Sequence, residues 1–271
     1  MEALLATLHK IPSLPTAVRD IISSFDNVDI EVHELAEKIS QDQNLSAKIL
    51  QLANSPFYGL PRQVGSIPNA VVVLGFSTVR SLALAAGVAG MFPSSSTTFS
   101  WPDYWKRSMA AAVYARALAK CLKLNLETAF TAGLFHDIGL AVLAFGAPQQ
   151  LAEAQAAAGT GDLLAAERAL LGFDHALLGG EVAKHWRFPP DIELAIRHHH
   201  DSATGTGEPL VLVTHAAFLL SVAMADGVEP DVEACLPQPL RTALGLDPEQ
   251  IRRCMPQMEE IVTTCASLLS A

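Results

Sequence analysis

His136 and Asp137 stand side by side in the apolar stretch AFTAGLFHDIGLAVL. An adjacent imidazole and carboxylate are costly to bury unless something binds them. On one edge of a helix such a pair can hold a metal ion that activates water. Two other segments carry donors of the same kind: Asp174-His175, and the run His198-His199-His200-Asp201.

The elements that must position these residues read as helices nearly throughout. Val32, Leu35, Ala36 and Ile39 follow the spacing of one buried helix face, and Leu45, Ile49, Leu52 and Ala53 repeat it. Asn54-Ser55-Pro56 stops that second helix, because proline cannot continue it. Pro68 reads as a first-turn proline, and Ser77 as the N-cap of an apolar helix running to Phe92. PSSSTTFSW at 93–101 is short of apolar groups and reads as the boundary between two halves. Pro102 opens a long Ala-rich helix to Leu122, and one continuous helix over 126–145 carries His136-Asp137. Helices over 149–158 and 163–171 stop at Gly159 and Gly172. Asp174 caps a helix to Trp186, Pro189-Pro190 starts the helix that ends in the histidine run, and Pro209 starts another. Asp247-Pro248 opens a last helix, with Gln250 placed to complete a capping box. Val71-Val72-Val73 is β-branched but lies in a helical context. The expectation is an all-α, two-lobed protein: a helical bundle over 1–95, then a second helical lobe with a C-terminal extension over 96–271.

Composition narrows the class. Half of the 271 residues are hydrophobic and 17% are charged, which describes a chain with a packed core. The formal net charge of −10 argues against binding a nucleic-acid polymer. No uninterrupted apolar run reaches the roughly 18 residues of a membrane span, and the start MEALLATLHK lacks the pattern of a secretory leader. A cytoplasmic protein without membrane contact is expected. Cys121, Cys235, Cys254 and Cys265 form no CxxC pair and read as free, buried thiols.

Five segments in order resemble the HDOD family, the HD-related output domain of bacterial signalling proteins. They are IPSLPTAV at 11–18, ISQDQNLSAKILQLANSPFYGL at 39–60, SIPNAVVVLGFSTVRSLAL at 66–84, AGLFHDIGLAVL at 132–143 and FDHALLGGEVAKHWRFPPDIELAIRHHHD at 173–201. The resemblance runs over about residues 8 to 220, and the last fifty residues add no motif. It implies an HD-like second lobe. HD-type phosphohydrolases hold divalent metal through a His on an early helix, the His-Asp pair and a later Asp, and HD-GYP relatives add a second metal on further histidines.

Carried over position by position, the resemblance predicts a damaged site. The early-helix His falls at Arg107, whose guanidinium has no lone pair to give and repels a cation. A lysine suited to phosphate falls at Leu140, and the late Asp falls at Ala217, with His215 two residues away on another helix face. The pair His136-Asp137 is intact, and His175, His199 and His200 match the second-metal set. Plainer explanations stand beside these. Arg107 could pair with Asp137 with no ion present, His175 could be a helix-start residue, and the histidine run could be a solvated helix end. ANSPFYG reads as a helix stop with aromatic packing of Phe57 and Tyr58; His9, His33 and His185 read as ordinary surface or packing residues.

The chain is therefore expected to be a non-catalytic signal-transduction module with a degenerate HD site. It would act by binding a protein partner in a bacterial signalling pathway, or a small ligand. Two alternatives stay open. One is a residual metal-dependent phosphohydrolase acting on a cyclic dinucleotide or another phosphoester. The other is a cyclic-dinucleotide sensor in which Arg107, Arg187 or Arg197 meets phosphate. No cofactor is expected, although the remnant set His136, Asp137, His175, His199 and His200 could hold a single divalent ion, iron or manganese.

Overall fold

A computed structural model describes residues 14, 16–24, 32–93, 96–201, 207–225 and 229–269. His9 and Ile11, Pro12, Ser13 and Pro15 of the IPSLPTAV segment lie outside these residues, as does the side chain of Phe57. Every regular element among the described residues is a helix, so the chain is all-α.

The first helices are α1 (Thr16–Ser23), α2 (Val32–Gln41) and α3 (Gln43–Ala53). α3 is capped by Asp42, which accepts from the Leu45 amide, and it buries Leu45, Ile49, Leu52 and Ala53, the face read from their spacing. Asn54 ends it and reaches across the next turn. Its side-chain amide donates to the carbonyls of Leu50 and Val64 at 2.8 and 2.9 Å, and its oxygen accepts from the Val64 amide at 2.8 Å. This clasp closes a loop holding one 3-10 turn, Pro56–Tyr58, and a left-handed Gly59.

α4 (Ile67–Leu74) follows, and α5 (Phe76–Ala89) begins one residue later. The expected Ser77 cap is not used. Gly75, at φ 84°, lets the chain turn sharply enough for the helix to restart at Phe76.

α6 (Trp101–Leu122) is the central post of the second half, capped by Ser100 and packed against α7 (Leu126–Phe135) and α13 (Pro209–Ala225). Here the expected helix over 126–145 divides. α7 stops at Phe135 and α8 (Ile138–Gly146) starts after Asp137. The cause is local: the His136 ring donates from Nδ1 to the Gly133 carbonyl at 2.7 Å, occupying the acceptor that a continuous helix would offer to residue 137. Taken together, Leu126–Gly146 is long and apolar enough to pass as a membrane span, which corrects the count from sequence. Within the fold, 89% of its apolar window is buried.

α9 (Pro148–Ala158) and α10 (Leu163–Leu171) form a hairpin, followed by α11 (His175–His185) and α12 (Pro190–Arg197). The C-terminal elements are α14 (Val232–Cys235), α15 (Gln238–Leu244), α16 (Pro248–Cys254) and α17 (Met258–Leu269). The Asp247–Gln250 capping box forms as its sequence implies. α17 packs on α6, on α3 and on the Pro56–Tyr58 turn. Polar contacts also join the two halves: the Thr78 hydroxyl donates to Glu127 Oε1 at 3.2 Å, and Ser81 and Thr131 share a hydrogen bond of 3.4 Å.

The cysteine expectation is corrected in part. Cys121 on α6 and Cys254 on α16 are joined as a disulfide, with Cα atoms 6.5 Å apart. They lie 133 residues apart in sequence, so no local motif announced them. Cys235 is a free thiol.

One contact sets the geometry of the second half. A Cβ at Gly139 would collide with the His175 carbonyl oxygen and lie 2.6 Å from the Gly179 amide nitrogen. A Cβ at Gly179 would lie 2.9 Å from Ile196 Cγ2. α8 and α11 therefore meet backbone to backbone, and the Ile196 side chain of α12 packs directly on Gly179. Gly139→Ala is expected to cost about 3 kcal/mol in urea-unfolding stability, because backbone cannot retreat as a side-chain tip can. Asn54→Ala is expected to cost about 2 kcal/mol by the same measurement, since it strands the buried Val64 amide and carbonyl.

Candidate metal centre

Three helix ends converge beside the α8–α11 contact. Asp137 lies in the break between α7 and α8. His175 is the first residue of α11, whose N-cap Asp174 accepts from the Leu177 amide at 2.7 Å. His199 and His200 lie in the turn that ends α12. One donor atom from each of Asp137, His175, His199 and His200 lies within 4.8 Å of the others. His136 joins from the same break, with Nε2 3.6 Å from Asp137 Oδ2.

Hydrogen bonds on the far side of each ring decide which nitrogen faces inward. A carbonyl or carboxylate oxygen can only accept, so the ring atom touching it must carry the proton. His136 Nδ1 donates to Gly133 and His199 Nδ1 donates to Ile196, each at 2.7 Å. His175 Nδ1 donates to Glu167 Oε2 at 2.7 Å. Neutral His136 and His199 leave their Nε2 lone pairs for the centre, and His175 Nε2 does so once a cation displaces its second proton. His175 Nε2 and His199 Nε2 lie 3.3 and 3.4 Å from Asp137 Oδ1, and His200 Nε2 lies 2.8 Å from His175 Nε2. His136 Nε2, His199 Nε2 and Asp137 Oδ1 are buried with no hydrogen-bond partner.

Such an arrangement favours a cation. Burial opposes charge on His175, yet Asp137 and Glu167 outweigh it and push its pKa up to about 10. Burial pushes His136 down to about 4 against the pull of Asp137. Burial and the neighbouring His199 and His175 push His200 down to about 2. Burial alone would raise Asp137, but His136 and the Arg107 guanidinium hold it well below the usual carboxylate range.

Arg107, on α6, donates from one terminal nitrogen to Asp137 Oδ2 at 2.8 Å. Leu140 is buried at the start of α8, and Ala217 is buried on α13. His215 does not reach the donor cluster; its Nδ1 donates to the His199 carbonyl at 2.7 Å and steadies that turn. Arg197 is engaged by Glu181 and Glu193 at 2.7 and 3.2 Å. Arg187 is exposed in the turn after α11, with a φ of 61°. Neither lines the cleft that opens on the donors, a space of about 370 Å³ bounded by Arg107, Asp137, Leu140, His175, His200 and Phe218, among others. A larger space of about 550 Å³ between α1, α3 and α5 has Asp42 and Lys48 in its wall but none of these donors.

His198 is half-buried and pairs with Asp201 at 2.6 Å, while His33 and His185 are exposed. Ser55 and Tyr58 of ANSPFYG lie far from the cluster in contact terms: the Tyr58 ring packs under Arg116, 5.6 Å from its guanidinium carbon. Arg116 in turn donates to Glu127 at 3.2 Å.

Two contributors escape a reading by sequence. Glu167 has no neighbour in the chain to suggest its partnership with His175. Phe218 roofs the cluster, with ring centroids 5.6, 5.5 and 4.6 Å from His136, His199 and His200.

The architecture has close counterparts. A structure from Shewanella amazonensis, of a protein provisionally called a phosphohydrolase, matches at 29% identity and a TM-score of 0.82, covering 99% of this chain and 97% of that one. An HDOD domain protein of unknown function from Geobacter sulfurreducens shares the fold at 23% identity and a TM-score of 0.74, covering 98% and 97%. A Marinobacter aquaeolei protein provisionally assigned to signal transduction matches at 25% identity and a TM-score of 0.73, covering 96% of this chain and 58% of that one. Among curated proteins, an uncharacterized Treponema pallidum protein is 25% identical over 256 residues, 92% of this chain. The chain spans about half the length of that relative, 49%. The HDOD domain profile matches residues 11–202, and the chain belongs to the HDOD family.

Proposed function

We propose that this domain is a non-catalytic signalling module built around a mononuclear metal centre. The observation that carries the metal is a pair of buried acceptors within the donor set, Asp137 Oδ1 and His199 Nε2, that make no hydrogen bond. Stranding two such groups costs several kcal/mol, and one cation satisfies them together. Asp137, His175, His199 and His200 would hold it, with His136 beside them. Three or four imidazoles and one carboxylate suit iron, manganese or zinc. A bound ion there supplies a Lewis-acidic charge to water or to an oxyanion entering the cleft.

What supports the absence of turnover is Arg107. Its guanidinium takes Asp137 Oδ2 and brings a fixed positive charge to the edge of the donor set. Asp137 is the one carboxylate in the donor set, since Glu167 lies behind His175, and it already meets one guanidinium. A second ion would add charge with no further carboxylate to offset it. Leu140 offers the cleft wall no charge to grip phosphate. The module would signal through a protein partner or a small ligand. Residual phosphohydrolysis is the competing reading, favoured by the open cleft beside the donors. A cyclic-dinucleotide sensor would rest on Arg107 alone, since Arg197 is neutralised by two glutamates.

Elemental analysis of the purified protein, dialysed after exposure to Mn²⁺ or Fe²⁺, is expected to find one ion per chain and a near-complete loss in His199→Ala. A metal-free wild type would overturn the metal centre. Hydrolysis of bis(4-nitrophenyl) phosphate and of cyclic dinucleotides is expected to stay at background; turnover abolished by His136→Ala would establish an enzyme instead. Arg107→His replaces the guanidinium with a ligand and is expected to raise the content towards two ions per chain. A stoichiometry still at one would remove Arg107 as the block.

A further inference from the structure

α10 is an inverted helix. Its leucines Leu163, Leu164, Leu170 and Leu171 are partly or fully exposed, and its one buried side chain is a carboxylate, Glu167, at 0% exposure. Burying a carboxylate in place of an available leucine is unfavourable unless its partners are strong. Glu167 finds them on a single residue. Its Oε2 accepts from the His175 backbone amide at 2.8 Å and from His175 Nδ1 at 2.7 Å. The next residue repeats the link, because Arg168 pairs with Asp174, the N-cap of α11. Two consecutive residues of α10 thus grip the two residues that start α11.

We infer that Glu167 is the positioning residue of the centre: it holds His175 in the tautomer that donates to metal and ties the α9–α10 hairpin to the occupancy of that site. Glu167 does not itself line the cleft and acts through His175. Its carboxylate fixes the ring about its axis, keeps the proton on Nδ1 and enriches the Nε2 lone pair. The backbone bond to the same oxygen removes the remaining freedom. The coupling runs both ways by thermodynamic necessity. Whatever strengthens the Glu167–His175 bond strengthens metal binding, and metal binding on His175 strengthens the hold on α10. The hairpin also supplies Gln155 and Leu163 to the rim of the cleft, so a tighter α10 narrows the approach to the donors.

The inference rests on the metal-centre reading above, and one experiment separates the two. Mn²⁺ alone is titrated into the metal-free full chain and into Glu167→Gln by calorimetry, with melting of both metal-free proteins measured alongside. Glu167→Gln is expected to bind Mn²⁺ ten to a hundred times more weakly. Its metal-free melting temperature is expected to fall, since the buried His175 loses its anionic partner. A merely structural Glu167 gives lower melting with unchanged affinity, and overturns the inference. Hydrogen exchange on the wild type is expected to show Mn²⁺ slowing the amides of α10; equal exchange with and without the ion also overturns it. If Glu167→Gln does not fold, Glu167→Asp, which keeps the charge but withdraws it from His175, is expected to show the same tenfold or larger loss. A wild type that takes up no Mn²⁺ or other divalent ion removes the metal centre and this inference together.

Discussion

The contact on which the site depends is the approach of α8 to α11 with no side chain between them. Gly139 lies against the His175 carbonyl and the Gly179 amide, and Gly179 lies against Ile196 of α12. Interiors pack densely and do not yield to an inserted methyl without moving backbone. Three helices fixed at that spacing bring their ends together, and those ends carry Asp137, His175 and His199-His200. The glycine after His136-Asp137-Ile138 is thus part of the site's construction, although it contributes no ligand.

Convergence alone would make a cluster of histidines, not a receptor for a cation. Orientation comes from acceptors behind the rings: Gly133 for His136, Ile196 for His199 and Glu167 for His175. Two are carbonyls of helix termini, freed because the helices stop there. The break between α7 and α8 and the end of α12 therefore do two tasks at once. Each presents a donor residue and supplies the oxygen that turns its ring. Arg107 completes the set from α6 by occupying the remaining side of Asp137.

The sequence disclosed the elements and most of the ligands because both leave local marks. The caps at Asp174 and Asp247 sit where short polar side chains precede apolar periodicity. Asp137, His175, His199 and His200 were legible as donor residues, and Arg107 beside Asp137 as a charge partner. The break inside 126–145 was not legible, because nothing in its composition distinguishes a side chain that captures its own helix's carbonyl from one that does not. Glu167, Phe218 and the Cys121–Cys254 bridge were hidden for another reason. Each acts across a distance in the chain, and pairing at long separation leaves no periodic trace. In α10 the one buried side chain is the glutamate, while its leucines are partly or more exposed.

The roof over the histidines lies on α13, and the HDOD profile ends at residue 202, before α13 begins at Pro209. A fragment trimmed to the profile would keep every donor residue yet lose Phe218, the ring that shields three of them from water, and His215, which braces their turn. Boundaries drawn from shared sequence therefore cut through a unit that is whole only in three dimensions. Swapping this domain between proteins would need the junction placed beyond α13 for the centre to travel intact.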